Sequence, residues 1–281
     1  MPFPAAGSML RKMTGWKTLV SRVAIVTGAS SGIGAAIAER FGRERIRVTL
    51  AARRADRLVQ VAERVRAAGG EAMVVPTDVR DPAAVEHMAA VTTEVWGRID
   101  ILVANAGVGG KSLLKMSDEA LAELVEINLL GVMRCARAVV PAMLEQRDGH
   151  IITTASFAGK VIAPGSVYGA TKAGVLAFAE ALRRAYADSG IRVSAVLPGW
   201  IDTPMLQTVR PRRTAPPGGV ADAVVRLLHR PRREVVVPGW YRIPIWLDRW
   251  FPLVTDLLAP RVVRRAERQA EHRAARQAER R

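Results

Sequence analysis

Cysteine is nearly absent from this 281-residue chain, where Cys135 stands alone. It can form no internal disulfide and shares no metal-ligand spacing with the four histidines, so no disulfide framework and no metal are expected. A reducing cytosol is the expected setting. Long apolar runs are also missing. The stretch from Met1 to Arg22 carries basic residues but no uninterrupted apolar core of signal-peptide length, and no run elsewhere reaches the roughly 20 residues of a membrane span. Neither secretion nor spanning is expected, and there is no internal repeat. Acidic residues are scarce as well: 26 Asp and Glu face 42 Lys and Arg, a formal charge of +16. Such a charge suits nucleic acid, an anionic membrane surface or an acidic protein. The arginine excess is spread from Arg11 to Arg281, as a compositional bias would be, and no recognition motif accompanies it, so nucleic acid is not an expected partner.

What is present is 49% hydrophobic residues, enough for a sizeable core. From Arg22 onward short β-branched runs alternate with longer amphipathic ones, the pattern of βαβ units. Strands are predicted at RVAIVT, IRVTLA, EAMVVPT, IDILVAN, HIITTA, IRVSAVLP and REVVVP. Helices are predicted between them, including one long helix from Ser117 to Gln146. Gly69-Gly70, Gly97, Gly149 and Gly190 stand where helix C-termini favour a residue tolerant of positive φ. The expected fold is α/β: a Rossmann-type doubly wound parallel sheet of about seven strands, in one domain over residues 22–239. Residues 1–21 form an N-terminal extension, and residues 240–281 a C-terminal helical appendix.

Directly after the first strand comes TGASSGIG, with Gly28, Gly32 and Gly34 opening the next helix. Glycines permit a tight turn and close approach to a pyrophosphate, whose charge is favoured by exposed N–H groups at a helix N-terminus. Strand, loop and helix in that order imply dinucleotide binding rather than a plain turn. At the end of the second strand a carboxylate would accept a ribose 2′-hydroxyl; Ala52 stands there instead, followed by Arg53 and Arg54. Guanidinium groups suit a 2′-phosphate, so NADP(H) is preferred and NAD(H) is the alternative, the arginines then merely solvating a helix start. In SVYGATKAG, Tyr168 and Lys172 lie at i and i+4 on one helical face. A nearby ammonium favours the ionised phenol, so the pair suits general acid/base work, although on its own the spacing is more often that of a solvent-facing helix than of a site.

Other motifs accompany them. TGASSGIG, the TDV of Thr77 to Val79, the ANAG of Ala104 to Gly107, the IN of Ile127 and Asn128, Ser156 in TTASFAG, YGATK and PGWIDTP occur in one order from Arg22 to Gly239. This set resembles the short-chain dehydrogenase/reductase family. The resemblance implies that Tyr168 exchanges a proton with the substrate oxygen, that Lys172 lowers its pKa and holds the nicotinamide ribose, that Ser156 hydrogen-bonds the substrate carbonyl, and that Asn128 holds a water linking Lys172 to solvent. It further implies a cofactor surface formed by Gly28, Ser30, Ser31, Gly32, Ile33 and Gly34, by Asp78 and Val79 at the adenine, and by Asn105, Ala106 and Gly107 at the adenosine ribose. Pro198, Gly199, Ile201 and Thr203 would close over the nicotinamide end. Two departures stand out: the family's usual NNAG reads ANAG, and Ser156 precedes Tyr168 by 12 positions where the family pattern has 13.

Trp200, Met205 and Leu206 are the candidate substrate residues, followed by the basic RPRR of residues 210–213. In the appendix Trp246, Leu247, Trp250, Phe251, Leu253, Val254, Leu257 and Leu258 recur at near-helical spacing, so this segment packs on the domain, joins a homo-oligomer, or lies on an anionic membrane surface. The whole implies an NADP(H)-dependent oxidoreductase acting on a small hydrophobic carbonyl or alcohol. The alternatives are a 3-oxoacyl reductase fed by an acyl carrier, and a cofactor-binding sensor without chemistry.

Overall fold

The computed structural model describes residues 15–206 and 213–257; most of the RPRR segment and the arginine-rich tail lie outside the described residues. Seven strands form one parallel sheet: β1 Val23–Thr27, β2 Arg47–Ala52, β3 Glu71–Pro76, β4 Ile101–Ala104, β5 Gly149–Thr154, β6 Ile191–Pro198 and β7 Glu234–Val237. Their spatial order is β3-β2-β1-β4-β5-β6-β7. The order reverses between β1 and β4, and in sheets of this kind the crevice beyond the strand C-termini at that point receives ligands.

The crossovers are helical: α1 Gly32–Arg43, α2 Ala55–Ala67, α3 Pro82–Trp96, α4 Asp118–Val125, α5 Gly131–Gln146, α6 Val167–Ala185 and α7 Gly218–His229. Alternation along each strand feeds two cores. Ala24 and Val26 of β1 pack with Ile37 and Phe41 of α1, Leu58 of α2 and Val224 of α7. Ile25 turns to the opposite face, among Met88 of α3, Val139 of α5 and Val175 of α6. Both faces of the sheet are thus covered, as a parallel sheet requires.

Three local findings differ from the sequence expectations. The long helix is interrupted by a π-helical turn at Glu126–Leu130, between α4 and α5. Although this run is long and apolar enough to cross a membrane by composition, half of its most apolar window is buried, as in a core helix. Gly149 does not cap that helix. Arg147 takes the left-handed conformation instead, at φ 51°, and Gly149 opens β5, where an added Cβ would come within 2.6 Å of Met143 Sδ. The extension before Arg22 is also partly domain: Trp16 and Leu19 are buried in the first core.

Trp16 ties the sheet's N-terminal edge. Its indole N–H donates to Asp148 Oδ2 at 3.0 Å, and its backbone pairs with Leu228 and His229. The guanidinium groups of Arg22 and Arg192 lie 4.4 and 4.2 Å from its ring centroid. Asp100, fully buried, accepts from Arg22, Arg98 and the Val23 amide, so none of these charges is isolated. Trp16→Ala should therefore lower unfolding stability by about 3–5 kcal/mol in denaturant titration; a loss below about 1 kcal/mol would show that the contact is decorative.

Candidate active site

The glycine loop and the ANAG loop meet at the switch point. Gly28 and Gly32 have φ of 66° and 56°, a region that disfavours any side chain. Gly34 fits because it has none: an added Cβ would lie 2.3 Å from the Gly28 carbonyl oxygen and 2.7 Å from Asn105 Nδ2. Thr27 fastens the two loops. Its hydroxyl accepts from the amides of Asn105 and Ala106 at 3.0 and 3.1 Å, while Asn105 Nδ2 donates to its carbonyl. Ile33 packs inward on the core.

The first turn of α1 holds no acidic residue, and the Ser31 side chain makes no cap bond, so neither competes with an anion for the N–H groups of this helix start. Arg54 reaches over it, with Nη2 at 2.9 Å from Ser30 Oγ and 3.1 Å from Ser31 Oγ. A bare cradle with a guanidinium at its edge fits a dinucleotide. Arg53 is exposed nearby. It helps Arg80 hold the Asp78 carboxyl below its usual range, with the Arg80 side-chain bond the largest cause. Val79 is buried against Gly131.

Deeper in the crevice, Ser156 follows β5 in extended conformation. Its hydroxyl accepts from the Ala158 amide at 3.1 Å and donates to the Pro198 carbonyl at 3.4 Å. Ser166 caps α6 by accepting from Gly169 N at 3.0 Å, which sets Tyr168 and Lys172 one turn apart on it. The link between Ser156 and Tyr168 is accommodated by close approach. An added Cβ at Gly159 would lie 2.7 Å from the Lys172 backbone, and one at Gly169 would lie 2.9 Å from the Ala158 carbonyl oxygen. Ser156 thereby comes to the Tyr168 hydroxyl, and its hydrogen bond favours the ionised phenol.

Burial governs the acidity of the pair. Burial pushes the Tyr168 phenol above its ordinary value, outweighing the opposing Ser156 bond. Burial also pushes Lys172 down to about 8. The Lys172 ammonium lies 5.8 Å from the Tyr168 ring centroid and donates to the Thr154 carbonyl at 2.9 Å. Spacing alone conveys the shared face of the helix. It does not convey the depth at which that face is buried, and here depth decides the sign.

Asn128 occupies the π turn, fully buried. Its Oδ1 accepts from Val108 N at 2.8 Å, and its Nδ2 donates to Val108 O at 3.0 Å and to Thr171 Oγ1 at 3.3 Å. It thus holds the loop that follows Gly107, and Gly107 itself separates it from Lys172: an added Cβ there would lie 3.1 Å from Asn128 Oδ1 and 3.4 Å from Lys172 Nζ.

The loop after β6 returns to the glycine loop. Thr203 Cγ2 would lie 3.1 Å from a Cβ at Gly32, and buried Ile201 pairs with Ala215. Met205 approaches Gly109 and is half exposed, with Leu206 beside it in the same short 3-10 turn. Tyr241, which sequence patterning does not single out, belongs to this wall. Its ring fills the space a Cβ on Gly199 would need, at 2.1 Å; it stacks on Phe157 at 4.6 Å, and its hydroxyl accepts from the Trp200 amide at 3.4 Å. It lies 73 positions from Tyr168 and carries no motif, so only the fold reveals it.

Comparison with known proteins gives this constellation its family. A Streptomyces coelicolor protein provisionally named a ketoacyl reductase is 42% identical over 194 residues, 68% of this chain and 74% of that protein. An actinorhodin polyketide ketoreductase solved with NADPH matches 79% of this chain and 97% of its own, at 36% identity and a TM-score of 0.73. A Burkholderia phymatum short chain dehydrogenase/reductase solved with NAD matches 83% and 95%, at 26% identity and a TM-score of 0.78. The family model for short chain dehydrogenase matches residues 22–214. The chain belongs to the short-chain dehydrogenase/reductase family and is an oxidoreductase of that family.

Proposed function

We propose that the protein is an NADP(H)-dependent reductase of a hydrophobic carbonyl compound, or in reverse a dehydrogenase of the corresponding alcohol. The observation that carries this reading is the convergence of Ser156, Tyr168 and Lys172 beside a glycine cradle edged by Arg54. When bound, the nicotinamide supplies the hydride. The protein's own residues do the rest. Ser156 and Tyr168 hold the carbonyl oxygen, and the buried phenol, kept protonated by its surroundings, gives its proton to that oxygen as charge develops there. Lys172 places a cation beside the phenol ring and would hold the cofactor's ribose, and Asn128 fixes the Val108 backbone nearby.

Two observations support NADP(H) over NAD(H). No carboxylate stands at the end of β2, where Ala52 is followed by Arg53, and Arg54 already lies against Ser30 and Ser31, where a 2′-phosphate would accept from it. The Burkholderia relative was solved with NAD, so the two cofactors are to be compared directly. A second reading, reduction of a 3-oxoacyl group delivered on an acyl carrier, is favoured by the ketoacyl and polyketide reductases among the relatives. The intact Tyr168 and Lys172 pair counts against a sensor without chemistry.

In NADPH-oxidation assays over a panel of ketones, aldehydes and 3-oxoacyl thioesters, Tyr168→Phe should lose roughly 10²–10⁴-fold in turnover while still binding NADPH. Persistent full activity would overturn the mechanism. Arg54→Ala should raise the KM for NADPH by on the order of tenfold and leave that for NADH unchanged, since a lost charge-assisted bond is worth about 1.5 kcal/mol or more. A parallel rise for both cofactors would refute the phosphate assignment.

A further inference from the structure

Beyond β7 the chain turns apolar side chains outward. A short 3-10 turn at Gly239–Tyr241 leads into α8, Arg242–Trp250. Ile243, Trp246, Leu247 and Trp250 recur at three- and four-residue spacing and so share one stripe of that helix. All four are exposed, Trp246 at 55% and Trp250 at 65% of their surface. Phe251, Leu253, Val254 and Leu257 continue the exposure. Isolated exposed hydrophobics are ordinary, but a contiguous run with three tryptophans, counting Trp240, marks a surface that meets something.

Charge says what it meets. At 100° per residue Arg242 and Arg249 fall on one flank of the stripe and are exposed, whereas Asp248 falls on the opposite side and is half-buried. From Trp240 to Arg281 ten arginines stand against five acidic residues, a net +5. A second copy of this chain would bring two such segments into mutual repulsion. Anionic lipid complements them, at about 1 kcal/mol for each basic residue held near the surface, and tryptophan favours the headgroup region. We propose that the outward stripe of α8, flanked by the exposed Arg242 and Arg249, docks the protein on an anionic lipid bilayer. Tyr241 anchors the start of the helix against Phe157 and Gly199, so the docked surface is continuous with the proposed substrate side.

The test uses the full-length protein with vesicles of pure phosphatidylcholine and of equimolar phosphatidylcholine and phosphatidylglycerol. Partitioning onto the anionic vesicles should be stronger by on the order of tenfold, should weaken with added salt, and should blue-shift the tryptophan emission. The Trp246→Glu, Trp250→Glu double variant should lose that partitioning while NADPH binding and sedimentation in solution stay unchanged; both positions are exposed, so folding is spared. Equal partitioning onto the two vesicle types, or of wild type and variant, would overturn the proposal. So would a wild-type dimer that the variant splits without any change in vesicle binding, since a second copy would then be the occupant. Vesicle binding and NADPH-dependent turnover are read separately, so failure of either leaves the other standing.

Discussion

Lys172 is buried with the Thr154 carbonyl as its hydrogen-bond acceptor, and the arrangement of the crevice depends on that contact. An ammonium withdrawn from water is costly unless something negative or polar answers it. Here a main-chain oxygen from the end of β5 does so, and no carboxylate contributes to its acidity. The cation is therefore held in place without being neutralised. Its field extends to the Tyr168 ring, and across Gly107 toward the loop that Asn128 fixes.

The scaffold exists to bring that group to one edge of the sheet. Thr27, Asn105 and Ala106 lock the loops after β1 and β4 together at the reversal of strand order, and Gly34 allows an approach that any Cβ would block. The π turn carries Asn128, whose side-chain amide pairs with the Val108 backbone. At the far edge Trp16, the arginines around it and Asp148 close the N-terminal ends of the strands. The wall beside Ser156 is completed by Tyr241, from beyond the last strand.

Much of this was legible in the sequence, because short β-branched runs between longer amphipathic ones mark all seven strands and the crossover helices, and the glycine spacing marks the cradle. What escaped has physical reasons. A π turn inserts one residue without disturbing the apolar periodicity around it, so the run from Ser117 reads as continuous. Gly149 reads as a cap, yet Arg147 meets the left-handed requirement two residues earlier. Tyr241 and Trp16 act through contacts distant in sequence. The desolvation of Tyr168 escapes because i, i+4 spacing conveys proximity and not depth.

The central claim is that a desolvated, protonated Lys172 prepares the crevice for an anionic cofactor. With its pKa lowered to about 8, the cation is present at neutral pH and is lost as pH rises through that value. The kcat/KM for NADPH reports ionisations of the free enzyme. Measured from pH 6 to 10, it should be level up to neutrality and fall through about 8, and Lys172→Met should show a lower rate without that limb. A wild-type rate that rises through pH 8, or the same falling limb in Lys172→Met, would contradict the account.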